Sequence, residues 1–79
     1  MKRLGRVLHL SSHNHLIIRL EETSLPKINA KVVTKKMDRV GTVYDIFGPE
    51  RAPYVSVKLD KKLPRSGVQA LVNERVFVA

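Results

Sequence analysis

VGTVYDIFGPERAPYVSVK, residues 40–58, contains two strand-like runs separated by a loop that holds one glycine and two prolines. In the second run Val55, Val57 and Leu59 alternate with Ser56 and Lys58, the period-two pattern of a strand with one buried face. The first run, residues 39–47, is less tidy. Val40, Tyr44 and Ile46 fall on one face with Thr42, whereas Val43 and Phe47 fall on the other with Gly41 and Asp45. Only one face of a closed sheet turns inward, so the other is left for the chain's own loops or for a partner.

Each part of this stretch carries its own expectation. Gly41 inside a strand marks a bulge or a tight barrel corner. Asp45 is expected to accept hydrogen bonds from backbone donors in the loop that begins at Gly48. Gly48 can adopt a positive φ, while Pro49 and Pro53 fix their own φ and remove two ladder donors. The loop is therefore stiff and unable to extend a sheet edge, and Phe47 and Tyr54 are expected to pack across its base. A loop ordered in advance loses little entropy on binding, and aromatics at its base serve as interface anchors.

Outward from here the pattern repeats. Leu8 and Leu10 flank His9, and Leu16, Ile18 and Leu20 alternate with Ile17 and Arg19. Turn-forming clusters lie at 11–14, 24–26, 35–38, 48–53 and 63–67. Strands are expected near 3–10, 15–21, 30–34, 39–47, 54–59 and 70–78, with no helix, no linker and no internal repeat. Six short strands with frequent turns predict an all-β fold, a small six-stranded β-barrel, because closure removes edges that would otherwise aggregate. A sandwich is the second choice.

The chain of 79 residues forms one small domain, 1–79, which buries only about 60% of its unfolded surface, so further cover from a partner suits its size. Cysteine is absent, which excludes disulfides and thiolate metal sites and leads to the expectation of an intracellular protein. Apolar runs such as Leu16-Ile17-Ile18 fall far short of the roughly 20 residues a membrane helix needs, and no apolar core follows Met1-Lys2-Arg3, so neither membrane nor signal peptide is expected. Fifteen Lys and Arg against seven Asp and Glu give a net charge of +8, a field that favours polyanions. The basic residues are scattered, with Lys2-Arg3, Lys35-Lys36 and Lys61-Lys62 as the adjacent pairs. His9, His13 and His15 straddle a turn, but no carboxylate or cysteine accompanies them, so no metal site is expected. Neither a serine, histidine and acid set nor a glycine-rich phosphate loop is visible, and no catalysis is expected.

Residues 40–58 resemble the signature of the Gar family, the small protein subunit of H/ACA guide-RNA ribonucleoproteins. The resemblance rests on Gly41-x-Val43-x-Asp45-x-Phe47-Gly48-Pro49, three variable residues, then Pro53-Tyr54-Val55. LGRVLH, residues 4–9, is similar to the family's first strand, and GVQALVNERVFVA, residues 67–79, shares strand character with little motif. The resemblance implies a barrel similar to the second domain of translation elongation factors, without catalytic activity or cofactor. It implies docking on the catalytic domain of a dyskerin-like pseudouridine synthase, with guide RNA and substrate rRNA engaged indirectly through the complex. Substrate loading and release would be aided through a mobile loop of the synthase. Gly41, Val43, Asp45, Phe47, Gly48, Pro49, Pro53, Tyr54 and Val55 are implied as the docking patch or its scaffold. Without the glycine-arginine-rich tails of eukaryotic members, the chain looks like an archaeal, cytoplasmic member or the core piece of a longer protein; a eukaryotic one would be nucleolar.

Charge alone supports a second class, an RNA-binding barrel acting by itself, of ribosomal or translation-factor type. Against it, Tyr44 and Phe47 are expected on opposite faces of their strand, and few other rings remain to build a stacking platform.

Overall fold

A computed structural model describes residues 2–11, 13–22 and 24–79. Ser12 of the expected 11–14 turn and Met1 lie outside the described residues. The elements run β1 (Lys2–Leu10), β2 (His15–Leu20), β3 (Lys31–Val33), β4 (Arg39–Phe47), β5 (Tyr54–Leu59), α1 (Arg65–Leu71) and β6 (Arg75–Val78). The strands close into an antiparallel barrel in the order β1-β2-β5-β4-β3-β6, with β6 returning to β1. Inward side chains from all six strands fill it. Leu4, Val7, Leu16, Ile18, Val32, Val40, Val43, Val55, Val57 and Val76 are fully buried. At about 1.5–3 kcal/mol for each buried aliphatic side chain, this cluster is the main source of stability.

The last expected strand, 70–78, needs correction. Residues 65–71 form a helix, and the strand begins only at Arg75. Gly67 and Pro64 read as turn formers, but Pro64, extended at φ −70°, sits at the helix N-terminus, where its missing N–H costs nothing. Val68 and Leu71, three apart and therefore on one helical face, join the core, and Leu63 packs against it. The helix thus adds apolar cover to the core through Val68 and Leu71.

β1 and β4, the two nine-residue strands, lie on opposite sides of the barrel. Each carries two extra residues relative to its neighbours. In β1 they are Leu4 against β6 and Leu8 against β2. In β4 they are Val40 against β3 and Tyr44 against β5. Between the bulges both strands read Gly-x-Val, at 5–7 and 41–43. A Cβ on Gly5 would collide with the Arg19 carbonyl oxygen, and a Cβ on Gly41 with the Lys58 carbonyl oxygen. The flanks match as well. The Asn73 N–H donates to the Val7 carbonyl and the Asn29 N–H to the Val43 carbonyl, both at 2.8 Å, and both asparagines have φ 70°. The chain is therefore an internal repeat of two three-stranded halves, β1–β3 and β4–β6, which its sequence shows only as Gly-x-Val.

Bulges twist and bend a strand, which lets so small a barrel close. They also settle the face problem of β4. With Tyr44 extra, Val43 opposes Val57 and Ile46 opposes Val55, so both turn inward despite their odd spacing. Tyr44, Asp45 and Phe47 are all exposed. Tyr44 and Phe47 thus do not fall on opposite faces, as strict alternation had required.

Deleting Tyr44 should force Val43 or Ile46 out of the core and lower the unfolding free energy by at least about 3 kcal/mol. Tyr44→Ala keeps the extra residue and should cost about 1 kcal/mol or less. Urea denaturation of the two variants beside the wild type distinguishes bulge from side chain.

Candidate functional site

The outer surface of β4 and β5 and the 48–53 loop form one face. Phe47 opposes Tyr54 in the last pair of the β4–β5 ladder, and their ring centroids lie 5.8 Å apart, tilted by 33°. The two rings bridge the base of the loop as its sequence led one to expect. Inside the loop Gly48 has φ +92°, and a Cβ there would meet the Tyr54 ring at 2.7 Å. The Ala52 N–H donates to the Pro49 carbonyl at 3.1 Å, and the Leu20 N–H donates to the Pro53 carbonyl at 3.2 Å, which ties the loop to β2. The loop is held at both ends and stiffened within.

Tyr44 extends this face toward β2. Its ring lies 4.6 Å from that of His15, and His15 Nδ1 is hydrogen-bonded to the Ser56 hydroxyl at 3.1 Å. Ser56 is the one buried polar residue of the described set, and this bond satisfies it under its aromatic cover. Tyr44 is 58% exposed and Phe47 42%. Aromatic rings held by packing yet open to solvent are the usual anchors of protein interfaces.

The nine residues implied by the signature divide by depth. Gly41, Val43 and Val55 lie inside the barrel, where they set its closure and packing. Tyr54 and Pro53 are half-buried supports of the loop. Asp45, Phe47, Gly48 and Pro49 are exposed. Asp45 does accept a backbone hydrogen bond, but from the adjacent Ile46 N–H at 2.8 Å and not from the loop. It braces the bulge.

Two exposed residues escaped the sequence pattern. Leu25 and Ile28, 61% and 52% exposed, stand in the connection between β2 and β3. The Asn29 bond to the Val43 carbonyl fixes Ile28 beside the Tyr44 bulge. Branched apolar residues among turn formers were the available signal, but a loop has no period against which to detect them. His9 and His13 are exposed and His15 is engaged by Ser56. Among the described residues no group of three or more His, Cys, Asp or Glu is arranged to hold a metal.

The fold and its surface define a small closed β-barrel with a pre-ordered aromatic edge and an excess of basic residues. Comparison with known proteins supplies the family. The description Gar1/Naf1 RNA binding region matches residues 1–79, and the chain belongs to the Gar1/Naf1 family. It is 36% identical over 78 residues to an uncharacterised protein of Methanothermobacter thermautotrophicus, covering 99% of this chain and 83% of that one. It is 42% identical over 57 residues to a Dictyostelium discoideum protein named probable H/ACA ribonucleoprotein complex subunit 1, covering 68% of this chain and 23% of that longer protein.

Gly48→Ala should lower stability by about 1–2 kcal/mol through left-handed strain and displace the Tyr54 ring. Ring resonances of Tyr54 and Phe47 that move together, with core methyl resonances unchanged, are the expected outcome in NMR spectra.

Proposed function

We propose that this barrel is a non-catalytic subunit of an H/ACA ribonucleoprotein that docks on a dyskerin-like pseudouridine synthase and aids RNA-guided pseudouridylation of rRNA. The observation that carries the proposal is the rigid aromatic face of Tyr44, Phe47 and Tyr54 around a proline-braced loop, in a member of the Gar1/Naf1 family. The name of the Dictyostelium relative supports the assembly. The synthase supplies the chemistry; this chain supplies a surface. Guide RNA and substrate rRNA are reached through the complex, in the cytoplasm of an archaeal cell or the nucleolus of a eukaryotic one.

The mechanism follows from differential affinity. A ligand shifts a conformational equilibrium only by as much as it prefers one state. The barrel acts on substrate loading and release by binding one position of a neighbouring synthase loop more tightly than another. Because its own loop is ordered before contact, little of the binding energy goes into ordering it. Phe47 and Tyr44, exposed but braced, desolvate against the synthase, while Gly41, Val43 and Val55 hold the strands that present them.

Phe47→Ala and Tyr44→Ala should each weaken binding to the synthase about tenfold or more, close to 1.4 kcal/mol. Lys61→Gln, at the other end of the barrel, should leave it unchanged. Calorimetry on folded variants reads these values. Multiple-turnover pseudouridylation that runs equally fast with and without the barrel would refute the loop mechanism.

A further inference from the structure

The strand register arranges outward side chains in rows. Arg6 opposes Arg19 on β2 and Arg75 on β6, Arg19 opposes Tyr54, and Tyr54 opposes Phe47. One row thus crosses five strands as Phe47, Tyr54, Arg19, Arg6 and Arg75, aromatic at one end and guanidinium at the other. Directly opposed Cβ atoms lie about 5 Å apart, so three arginine side chains leave the sheet from neighbouring positions, and like charges directly opposed destabilise a sheet. One carboxylate answers them: Arg75 Nε donates to Glu21 Oε1 at 3.1 Å. Arg6 and Arg19 are exposed and have no ion pair among the described residues.

A second feature adjoins the row. Phe77 opposes Arg3 on β1 and is half-buried on the outer surface. Arg3, Arg6, Lys35, Arg75 and Phe77 line a shallow depression of about 270 Å³, with Glu74 as its acid. Four of the chain's seven arginines are therefore on three adjoining strands, β2, β1 and β6. Lys35 reaches this depression from the connection between β3 and β4, whereas Lys61-Lys62 stand in the connection after β5 and do not line it. Two independent observations coincide here: Arg6 and Arg19 opposed in register without an ion pair among the described residues, and a half-buried aromatic residue in the depression beside them.

We infer that the Arg19–Arg6–Arg75 row holds the phosphodiester backbone of a single-stranded RNA and that one base of that strand stacks on Phe77. The planar guanidinium fork matches phosphate oxygens two at a time, and an aromatic ring beside a backbone track is the common way to hold an unpaired base. A duplex would keep its bases out of the depression. The row meets the docking face at Tyr54, so a strand lying on it runs up to the edge of whatever covers Phe47. Three phosphate contacts hold RNA weakly and with strong salt dependence, so this direct contact is secondary to the engagement of RNA through the complex. The site stands whether or not the barrel docks on a synthase.

Fluorescence anisotropy of the full chain with a labelled single-stranded RNA of about twelve nucleotides tests this, across a salt series. Arg6→Gln with Arg19→Gln should weaken binding about tenfold at low salt and flatten the slope of log K against log salt by about 1.4, two phosphates at 0.7 each. Lys61→Gln with Lys62→Gln removes the same charge elsewhere and should leave the slope nearly intact. Phe77→Leu should cost about fivefold or more with the slope unchanged. Thermal unfolding verifies that each variant is folded, and removing opposed arginines is not expected to lower the midpoint. The assignment is overturned by equal losses in the two double variants, by no RNA binding to the wild type at low salt, or by polyglutamate binding as tightly as RNA through the same arginines. Phe47→Ala should leave the RNA slope unchanged, so failure of this site and failure of synthase docking are read separately.

Discussion

Closure of six short strands around a thin core depends on the paired bulges in β1 and β4. A barrel of this size must bend its strands sharply, and an extra residue in one strand is the device that bends it without breaking the ladder. Each long strand carries two, placed on opposite sides of the barrel. Glycines beside them let a neighbouring carbonyl approach where any Cβ would collide. Packing follows from this: Val43 and Ile46 reach the same interior only because Tyr44 intervenes.

The repeat makes the site intelligible as the place where the two halves differ. Leu8 and Tyr44 are equivalent bulge residues, yet one is an aliphatic at the edge of exposure and the other an open aromatic. The connection after β1 is a short turn, whereas that after β4 is the proline-braced loop carrying Gly48. The outer row at Arg6 and Arg19 has Thr42 and Lys58 as its counterparts in the other half. A shared scaffold therefore presents an aromatic face on one side and a guanidinium row on the other. The two are joined at the Arg19–Tyr54 pair between β2 and β5.

Stability and recognition draw on different atoms of the same stretch. Gly41, Val43 and Val55 are buried and act through the fold. Phe47, Gly48 and Pro49 meet solvent, and their shape is set by Tyr54 beneath them. A small barrel has few side chains to spare, so a signature in which scaffold and surface residues alternate is the economical solution.

The sequence by itself determined the strands at 39–47 and 54–59, the closed all-β class, the stiffness of the 48–53 loop and the family signature. Those features rest on local spacing, on proline and glycine dihedrals and on composition, all of which act within a few residues. It did not determine the helix at Arg65–Leu71, because two apolar residues three apart are too few to establish a helical period. Nor did it place Tyr44 with Phe47, Ile28 beside the bulge, or Arg6 between Arg19 and Arg75. Which residue is extra, and which arginine opposes which, are properties of register, and register is fixed only when distant strands pack their apolar faces against one another.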